Sequence, residues 1–193
     1  MRRLLLFLLL FLSLSAAADE RGVARLERIA RHYADMGNYS AEFILTVDGQ
    51  QQKGELIVAG KNSYMKVADS EIFVDGAVRY EVRSSAKEII LDRADIYEKE
   101  LLNPANGFSG VTTDYDIVEC EMDGSVALRL IPKKSGETIY IIVAPDGESI
   151  AKVRYNSGEN RAELRMVRCQ KGGKALPTFS KDRYKGFELI DFR

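Results

Sequence analysis

Ser109, in the stretch GFSG at 107–110, is the first residue whose setting suggests nucleophilic chemistry. A nucleophile elbow reads G-x-S-x-G at a strand-to-helix turn. Here Gly110 comes one residue too early, so Ser109 fails the motif. A serine or cysteine nucleophile also needs a base, and His32 is the single histidine of the chain. His32 falls beside the apolar stripe of an N-terminal helix, which predicts a surface or boundary position. The stretch GQQQKGEL at 49–56 has the glycine spacing of a P-loop, but Glu55 stands where the phosphate-binding lysine is required. It reads better as a hairpin turn. Asp114 with Asp116, and Glu119 with Glu121, lie two apart, so within a strand each pair shares a face. Paired acids can do acid–base work, but solvated strand faces commonly carry such acids. One histidine and two distant cysteines do not supply zinc spacing. These residues predict no catalytic centre, no metal site and no cofactor.

Cys120 and Cys169 are the two cysteines. Their reading depends on where the chain resides. Arg2 and Arg3 precede an almost entirely apolar run from Leu4 to Leu14, and Ala16 and Ala18 stand at small positions before Asp19. That is the layout of a secretory signal peptide over 1–18, cut after Ala18. A membrane anchor needs roughly 20 apolar residues, and this run is shorter. With Asp19 at the cut, a lipidated N-terminus lacks its cysteine. An oxidising, exported location permits a Cys120–Cys169 disulfide; two unpaired thiols in strands is the other reading. Asn38-Tyr39-Ser40 is a glycosylation sequon, of consequence only in a eukaryotic secretory protein.

The chain has 28 Lys plus Arg and 29 Asp plus Glu, and loss of Arg2 and Arg3 makes the remainder slightly acidic. No long basic run survives. Phosphate-backbone binding needs clustered Lys and Arg, so nucleic acid is not an expected partner. Residues 19–193 have the length of one domain able to bury a core without staples.

The elements that must position these side chains are mostly strands. Val23, Leu26, Ile29, Ala30 and Tyr33 recur at three- and four-residue spacing, which predicts one amphipathic helix stopped by Gly37 and Asn38. Tyr39 to Val47 then alternates. DGQQQKG reads as a turn, GELIVAG and NSYMKVA as short strands, and Ile72 to Val74 as another before the Asp75-Gly76 turn. Val78, Tyr80 and Val82 alternate with Arg79, Glu81 and Arg83, and Ile89 to Leu91 completes a hairpin. The pattern breaks between Asp92 and Thr113, where Asn103-Pro104 marks a helix start. Strands resume at Tyr115–Met122, Val126–Ile131, Ile139–Ala144, Ala151–Tyr155, Ala162–Met166 and Phe187–Phe192, with NSGEN at 156–160 as a turn. The alternation predicts an antiparallel sheet with water on one side. So many strands in one sheet must curl. The helix and the 92–113 insertion are the candidates to cover its apolar face.

In this order the segments resemble the periplasmic outer-membrane lipoprotein carrier family (LolA-like). NYSAEFILTVDGQQQKGELIVAGKNSYMKV resembles its opening strands, EIFVDGAVRYEV its "DG…Y" hairpin and ELLNPANGFSG its mid-chain helical segment. PDGESIAKVRY resembles its late hairpin and GFELIDFR its terminal strand. The resemblance covers nearly the whole chain after the leader and implies an α+β fold: an incomplete, half β-barrel of about eleven antiparallel strands, with the N-terminal helix and a short helical lid over an apolar cavity. It implies a soluble, monomeric periplasmic carrier. Such a carrier receives acylated lipoproteins from an inner-membrane ABC release complex and passes them to the outer membrane, often through an acceptor there. Typical members latch the lid with an Arg, usually followed by Pro, just after the second strand; Gly60 and Lys61 occupy that region here.

The expected acyl-chain lining is Phe43, Leu45, Val78, Tyr80, Val82, Leu128, Val153, Tyr155, Leu164 and Met166. Packing under the helix is the alternative for each. The competing function on the same scaffold is a sensor or interaction module that recognises a lipidated or unfolded partner through an exposed rim or edge. A hydrolase would instead need a polar cleft beside His32.

Overall fold

The computed structural model describes residues 20–95, 97–157 and 160–193. The expected signal peptide, its cut and part of the 156–160 turn lie outside the described residues. Helix α1 spans 20–36. Gly37 ends it with φ 66° and an N–H donated to the Ala34 carbonyl at 3.0 Å.

Strands β1 (Tyr39–Val47), β2 (Gln50–Ala59), β3 (Asn62–Val67), β4 (Ser70–Asp75), β5 (Val78–Arg83) and β6 (Glu88–Arg93) form a first meander. The insertion follows, with a π-helical turn at Tyr97–Leu101, a 3-10 turn at Pro104–Asn106 and the short helix α2 at Ser109–Asp114. Strands β7 (Tyr115–Met122), β8 (Ser125–Pro132), β9 (Ile139–Val143), β10 (Ile150–Ser157) and β11 (Asn160–Lys171) form a second meander. After a further 3-10 turn at Lys181–Tyr184, strand β12 (Glu188–Asp191) ends the sheet. The order is β12-β6-β5-β4-β3-β2-β1-β11-β10-β9-β8-β7, one sheet of twelve strands that does not close into a barrel. The antiparallel β1–β11 pair joins the two meanders.

Two details differ from the sequence-based expectation. The sheet has a twelfth strand, and β12 runs parallel to β6 rather than antiparallel. The 48–54 turn shrinks to Asp48-Gly49, both with positive φ (49° and 83°), and β2 already begins at Gln50. Two positive φ values in a two-residue loop match the right-handed twist of the flanking strands. The polar Gln50–Lys53 run therefore extends a hairpin instead of bending it.

Pairing fixes which side chains share a face. Phe43 opposes Met166, Leu45 opposes Leu164, Leu164 opposes Val153, Val153 opposes Ile141 and Ile141 opposes Leu128. This face carries α1: Leu26, Ile29 and Tyr33 are buried into it with Tyr39, Phe43, Leu56, Ile117, Leu128 and Ile141. Burial of one such side chain stabilises by about 1.5–3 kcal/mol. Gly22 allows the close approach at the helix start, since a Cβ there would stand 2.7 Å from Ile117 Cγ2.

The opposite, outer face of β2–β6 is covered by a segment that the sequence reading left without a role. Residues 172–187 lay Leu176, Phe179, Tyr184 and Phe187 over Ile57, Tyr64, Phe73, Tyr80, Val82 and Ile89. The Phe179 ring stacks on Tyr80 at 4.1 Å and 11° and meets Phe73 edge-on at 5.8 Å. Glu71 ties this strap down, accepting hydrogen bonds from the Tyr64 hydroxyl (2.7 Å) and the Tyr184 hydroxyl (2.9 Å). Burial alone would raise the Glu71 carboxyl, but the two phenol hydrogen bonds outweigh it and hold the group below its usual range. Burial, with the same carboxylate, pushes the Tyr184 phenol up to about 12.

A depressed carboxyl contributes stability that is complete above its unfolded value and is lost as pH falls through its folded value. Acidification from about pH 4.3, the ordinary glutamate value, down through the lower folded value should therefore loosen the strap. Glu71→Gln should weaken the strap at neutral pH by about 1–2 kcal/mol and flatten that acid dependence. Near-ultraviolet circular dichroism of the tyrosines packed under the strap, followed in urea at each point of a pH series, measures both. Identical pH profiles for the two proteins would refute the assignment.

Candidate functional site

The seven expected lining residues Phe43, Leu45, Leu128, Val153, Tyr155, Leu164 and Met166 all belong to the helix-face cluster. Phe43 and Leu128 are buried; the other five are half-buried. Val78, Tyr80 and Val82 are not with them. The β5 register puts Tyr80 opposite Phe73 and Leu91, and Val82 opposite Ile89, on the outer face. Tyr80 and Val82 pack with the residues under the strap. Val78 borders a cleft of 590 Å³ with Arg93, Asp191 and Arg193.

What β5 presents to the helix face is charge. Glu81 is 9% exposed and accepts from Arg79 Nη2 at 2.5 Å and from Arg83 Nε at 2.6 Å. Burial would raise its carboxyl, but the hydrogen bonds from Arg83 and Arg79 hold it below its usual range. The apolar side of β5 packs under the strap rather than under α1, so its alternation of apolar and charged residues does not reveal which side faces the helix.

Empty apolar volume lies on the flank of α1 rather than between α1 and the sheet. A cavity of 450 Å³ is lined by Val23, Leu26, Glu27, Ala30 and Arg31 of α1 and by Gly107, Phe108, Ser109 and Thr112. That size falls within the roughly 300–1,000 Å³ of ligand pockets, which are mostly apolar with a few polar groups. None of the ten expected residues lines it. Beneath α1 the sheet is filled by Leu26, Ile29 and Tyr33, each at most 1% exposed.

The insertion is built to hold this cavity. Pro104 occupies the first position of its 3-10 turn, as the sequence predicts, with Asn103 before it. The Asn103 side chain does not cap that turn. It is 1% exposed and donates Nδ2–H to the Gly60 carbonyl at 2.9 Å, fastening the insertion to the β2–β3 turn. Glu100 accepts from the Gly110 and Val111 amides at 2.8 and 2.9 Å, so it caps α2 across the insertion. The Tyr39 hydroxyl donates to the Leu102 carbonyl at 3.3 Å.

At its other side α1 is clamped to the sheet ends. Arg25 Nε meets Glu119 at 3.1 Å on β7. The Ile150 amide donates to the Tyr33 hydroxyl at 3.3 Å, and burial raises that phenol above its ordinary range. His32 Nε2 lies 3.2 Å from Ser149 Oγ, and His32 Nδ1 lies 3.6 Å from Glu148. A serine, an imidazole and a carboxylate thus meet, though not with Ser109. The Ser149 hydroxyl donates to Asp146 Oδ2 at 2.6 Å, so its proton is held by a carboxylate rather than offered to the imidazole. Asp146 Oδ1 also accepts the Glu148 and Ser149 amides. The three bonds to Asp146 lie within the β9–β10 turn, and the contacts of Ser149 and Glu148 with His32 fasten that turn to α1.

Of the remaining sequence candidates, Glu119 and Glu121 share one face of β7, with Glu119 taken by Arg25, whereas the others separate. Asp114 ends α2 while Asp116 stands on β7, so they do not share a strand. Cys120 and Cys169 are free thiols. They lie on β7 and β11 with β8, β9 and β10 between them, roughly 19 Å at ~4.8 Å per strand. A disulfide spans Cα atoms about 4.4–6.8 Å apart, so the bond allowed by the sequence reading does not form. Among the described residues, no group of three or more His, Cys, Asp or Glu is placed to hold a metal ion. No described helix is long and apolar enough to cross a membrane.

Neither a protein-family model nor a curated protein matches the sequence. Solved structures do share the architecture. An uncharacterized conserved protein from Thermus thermophilus matches with a TM-score of 0.54 at 7% identity, over 88% of this chain and 98% of that one. The Pseudomonas aeruginosa MucA/MucB complex matches with a TM-score of 0.47 at 14% identity, over 86% of this chain but only 61% of that one. LprF from Mycobacterium bovis matches with a TM-score of 0.44 at 11% identity, over 82% and 97%. At 7% identity the Thermus likeness establishes a common fold, the open half-barrel described above.

Proposed function

We propose that the protein is a periplasmic carrier that shelters the acyl chains of lipoproteins and moves them from the inner to the outer membrane without catalysing a reaction. The observation that carries this reading is the 450 Å³ apolar cavity between α1 and the insertion, with Val23, Leu26, Ala30 and Phe108 in its wall. Each sheltered methylene contributes about 0.8 kcal/mol. Roughly a dozen would contribute on the order of 10 kcal/mol before the costs of ordering and desolvation. That suffices to hold a lipid anchor out of water and still lets a bilayer recover it. The Asn103–Gly60 bond and the Glu100 cap give the insertion defined points at which to open and reclose. The donor in this scheme is an inner-membrane ABC release complex, the recipient an outer-membrane acceptor or the membrane itself, and the carrier acts as a monomer.

The test is native mass spectrometry of the protein recovered from the periplasm, followed by incubation with a triacylated lipoprotein and with free fatty acid. The reading expects a bound acylated protein or lipid. Reproducibly empty protein that takes up neither would sink it. A protein that captures partners lacking any acyl group would instead favour the sensor on the same scaffold.

A further inference from the structure

The outer face of the sheet has two halves of opposite chemistry. Over β3–β6 it is aromatic and aliphatic, and the strap covers it. Toward β8 it is exposed and basic. Lys152 opposes Arg165, Arg165 opposes Ile44 and Ile44 opposes Lys53. Three cations thus stand in one row across β10, β11, β1 and β2 with no carboxylate between them, although Lys152 at the row's end lies 3.9 Å from Asp123. In the next row Arg168 and Lys66 flank Glu42 and Glu55, and Glu55 is already taken by Lys174. On the other side Arg154 is neutralised by Glu163 and Asp123, while Arg129 stands clear. Arg129, Arg165, Arg168, Lys53 and Lys66 are exposed, and none forms an ion pair among the described residues. The chain as a whole carries a formal charge of −1, so this concentration of cations reflects segregation rather than composition. A register shift in the β1–β11 pair opposite Glu42 and Phe43 leaves Val167 54% exposed. It borders, with Ile44, a depression of 610 Å³ walled by Lys53 and Lys66 and by Glu42 and Glu55, the latter paired with Lys174.

We infer that this face docks on an anionic phospholipid bilayer. The cations are spread strand by strand over β8–β3 instead of converging on one point. That distribution matches a diffuse layer of phosphates better than a compact acidic site on a protein. Ile44 and Val167 at its centre meet the apolar edge of the headgroup layer. The inference is independent of the cavity, which lies beside the helix on the other face.

Flotation with vesicles tests it. Vesicles of phosphatidylcholine alone, and vesicles in which part of it is replaced by phosphatidylglycerol, are compared at low and high salt. Binding should be much stronger to the anionic vesicles and should collapse at high salt, where surface charges are screened. Each basic residue near such a surface is worth about a factor of five, so Lys53→Gln with Arg165→Gln and Arg168→Gln should weaken binding on the order of 100-fold. Circular dichroism checks that this variant is folded, and Arg28→Gln on α1 should bind as the parent does. Equal binding to the two kinds of vesicle, or a triple variant that binds like the parent, would overturn the inference. Capture by poly-L-glutamate without binding to anionic vesicles would also overturn it and assign the face to an acidic protein.

Discussion

Gly54→Ala is expected to cost about 3 kcal/mol of stability, the upper end of what overpacking costs. The Phe43 ring lies directly on Gly54 in the β1–β2 pair. A Cβ at residue 54 would stand 2.2 Å from Phe43 Cζ, 2.4 Å from Cε2 and 2.9 Å from the Lys66 carbonyl oxygen. Two of these atoms belong to a ring that is 2% exposed and has little room to turn away, and the third is backbone. Alanine in a strand gains roughly 0.5–1 kcal/mol over glycine in chain entropy, which is too little to offset the collision. Phe43→Leu in the same chain removes the ring edge and should recover much of the loss, leaving the Lys66 contact. A double-mutant cycle in urea reads the coupling directly. An unchanged midpoint for Gly54→Ala, or strict additivity with Phe43→Leu, would show that the ring does not rest there.

The same pair illustrates what could be read before the fold was known. The alternation of Tyr39, Ala41, Phe43 and Leu45 places the core face of β1 correctly, because the other side, with Ser40, Glu42 and Thr46, is mostly polar and only partly covered. β5 has the same kind of alternation and misleads. Tyr80 and Val82 face the strap, while Arg79, Glu81 and Arg83 satisfy one another on the helix face. A strand whose apolar side is buried by a segment other than the helix hides its orientation, and the register through Phe73 and Ile89 reveals it. The strap itself left a signal in Leu176, Phe179, Tyr184 and Phe187, four large apolar residues in a segment rich in glycine and lysine. It has no helical or strand period, so a search for periodicity passes over it. The insertion was easier to read: Asn103-Pro104 marks a turn start in sequence and in structure. What sequence spacing did not disclose is that the Asn103 side chain turns away from the backbone it precedes and binds Gly60, 43 residues earlier. The cavity was hardest to anticipate. Its wall is shared between one flank of α1 and a non-periodic segment around Phe108, and neither shows by itself that a gap separates them.

Ala30→Trp is accordingly the substitution expected to affect ligand uptake most. Ala30 is half-buried on the flank of α1 and lines the 450 Å³ cavity with Val23 and Leu26. An indole there occupies space that an acyl chain would otherwise fill. Displacing about four methylenes at about 0.8 kcal/mol each removes roughly 3 kcal/mol of binding, a loss on the order of 100-fold. The fold should tolerate the change, because the new ring enters existing space instead of the close-packed layer under Ile29 and Tyr33. The cost to stability should stay near 1 kcal/mol, mostly the poorer helix propensity of tryptophan. Leu45→Ser supplies the contrast. Leu45 is half-buried on the sheet and does not line the cavity, so this variant should bind acyl chains much as the parent does. Titration of each variant with a fluorescent fatty acid, alongside its urea midpoint, separates the cases. If Leu45→Ser loses uptake and Ala30→Trp keeps it, acyl chains lie along the sheet, in the groove that the strand pattern alone suggests. In that case the space beside α1 is only the hinge region of the insertion.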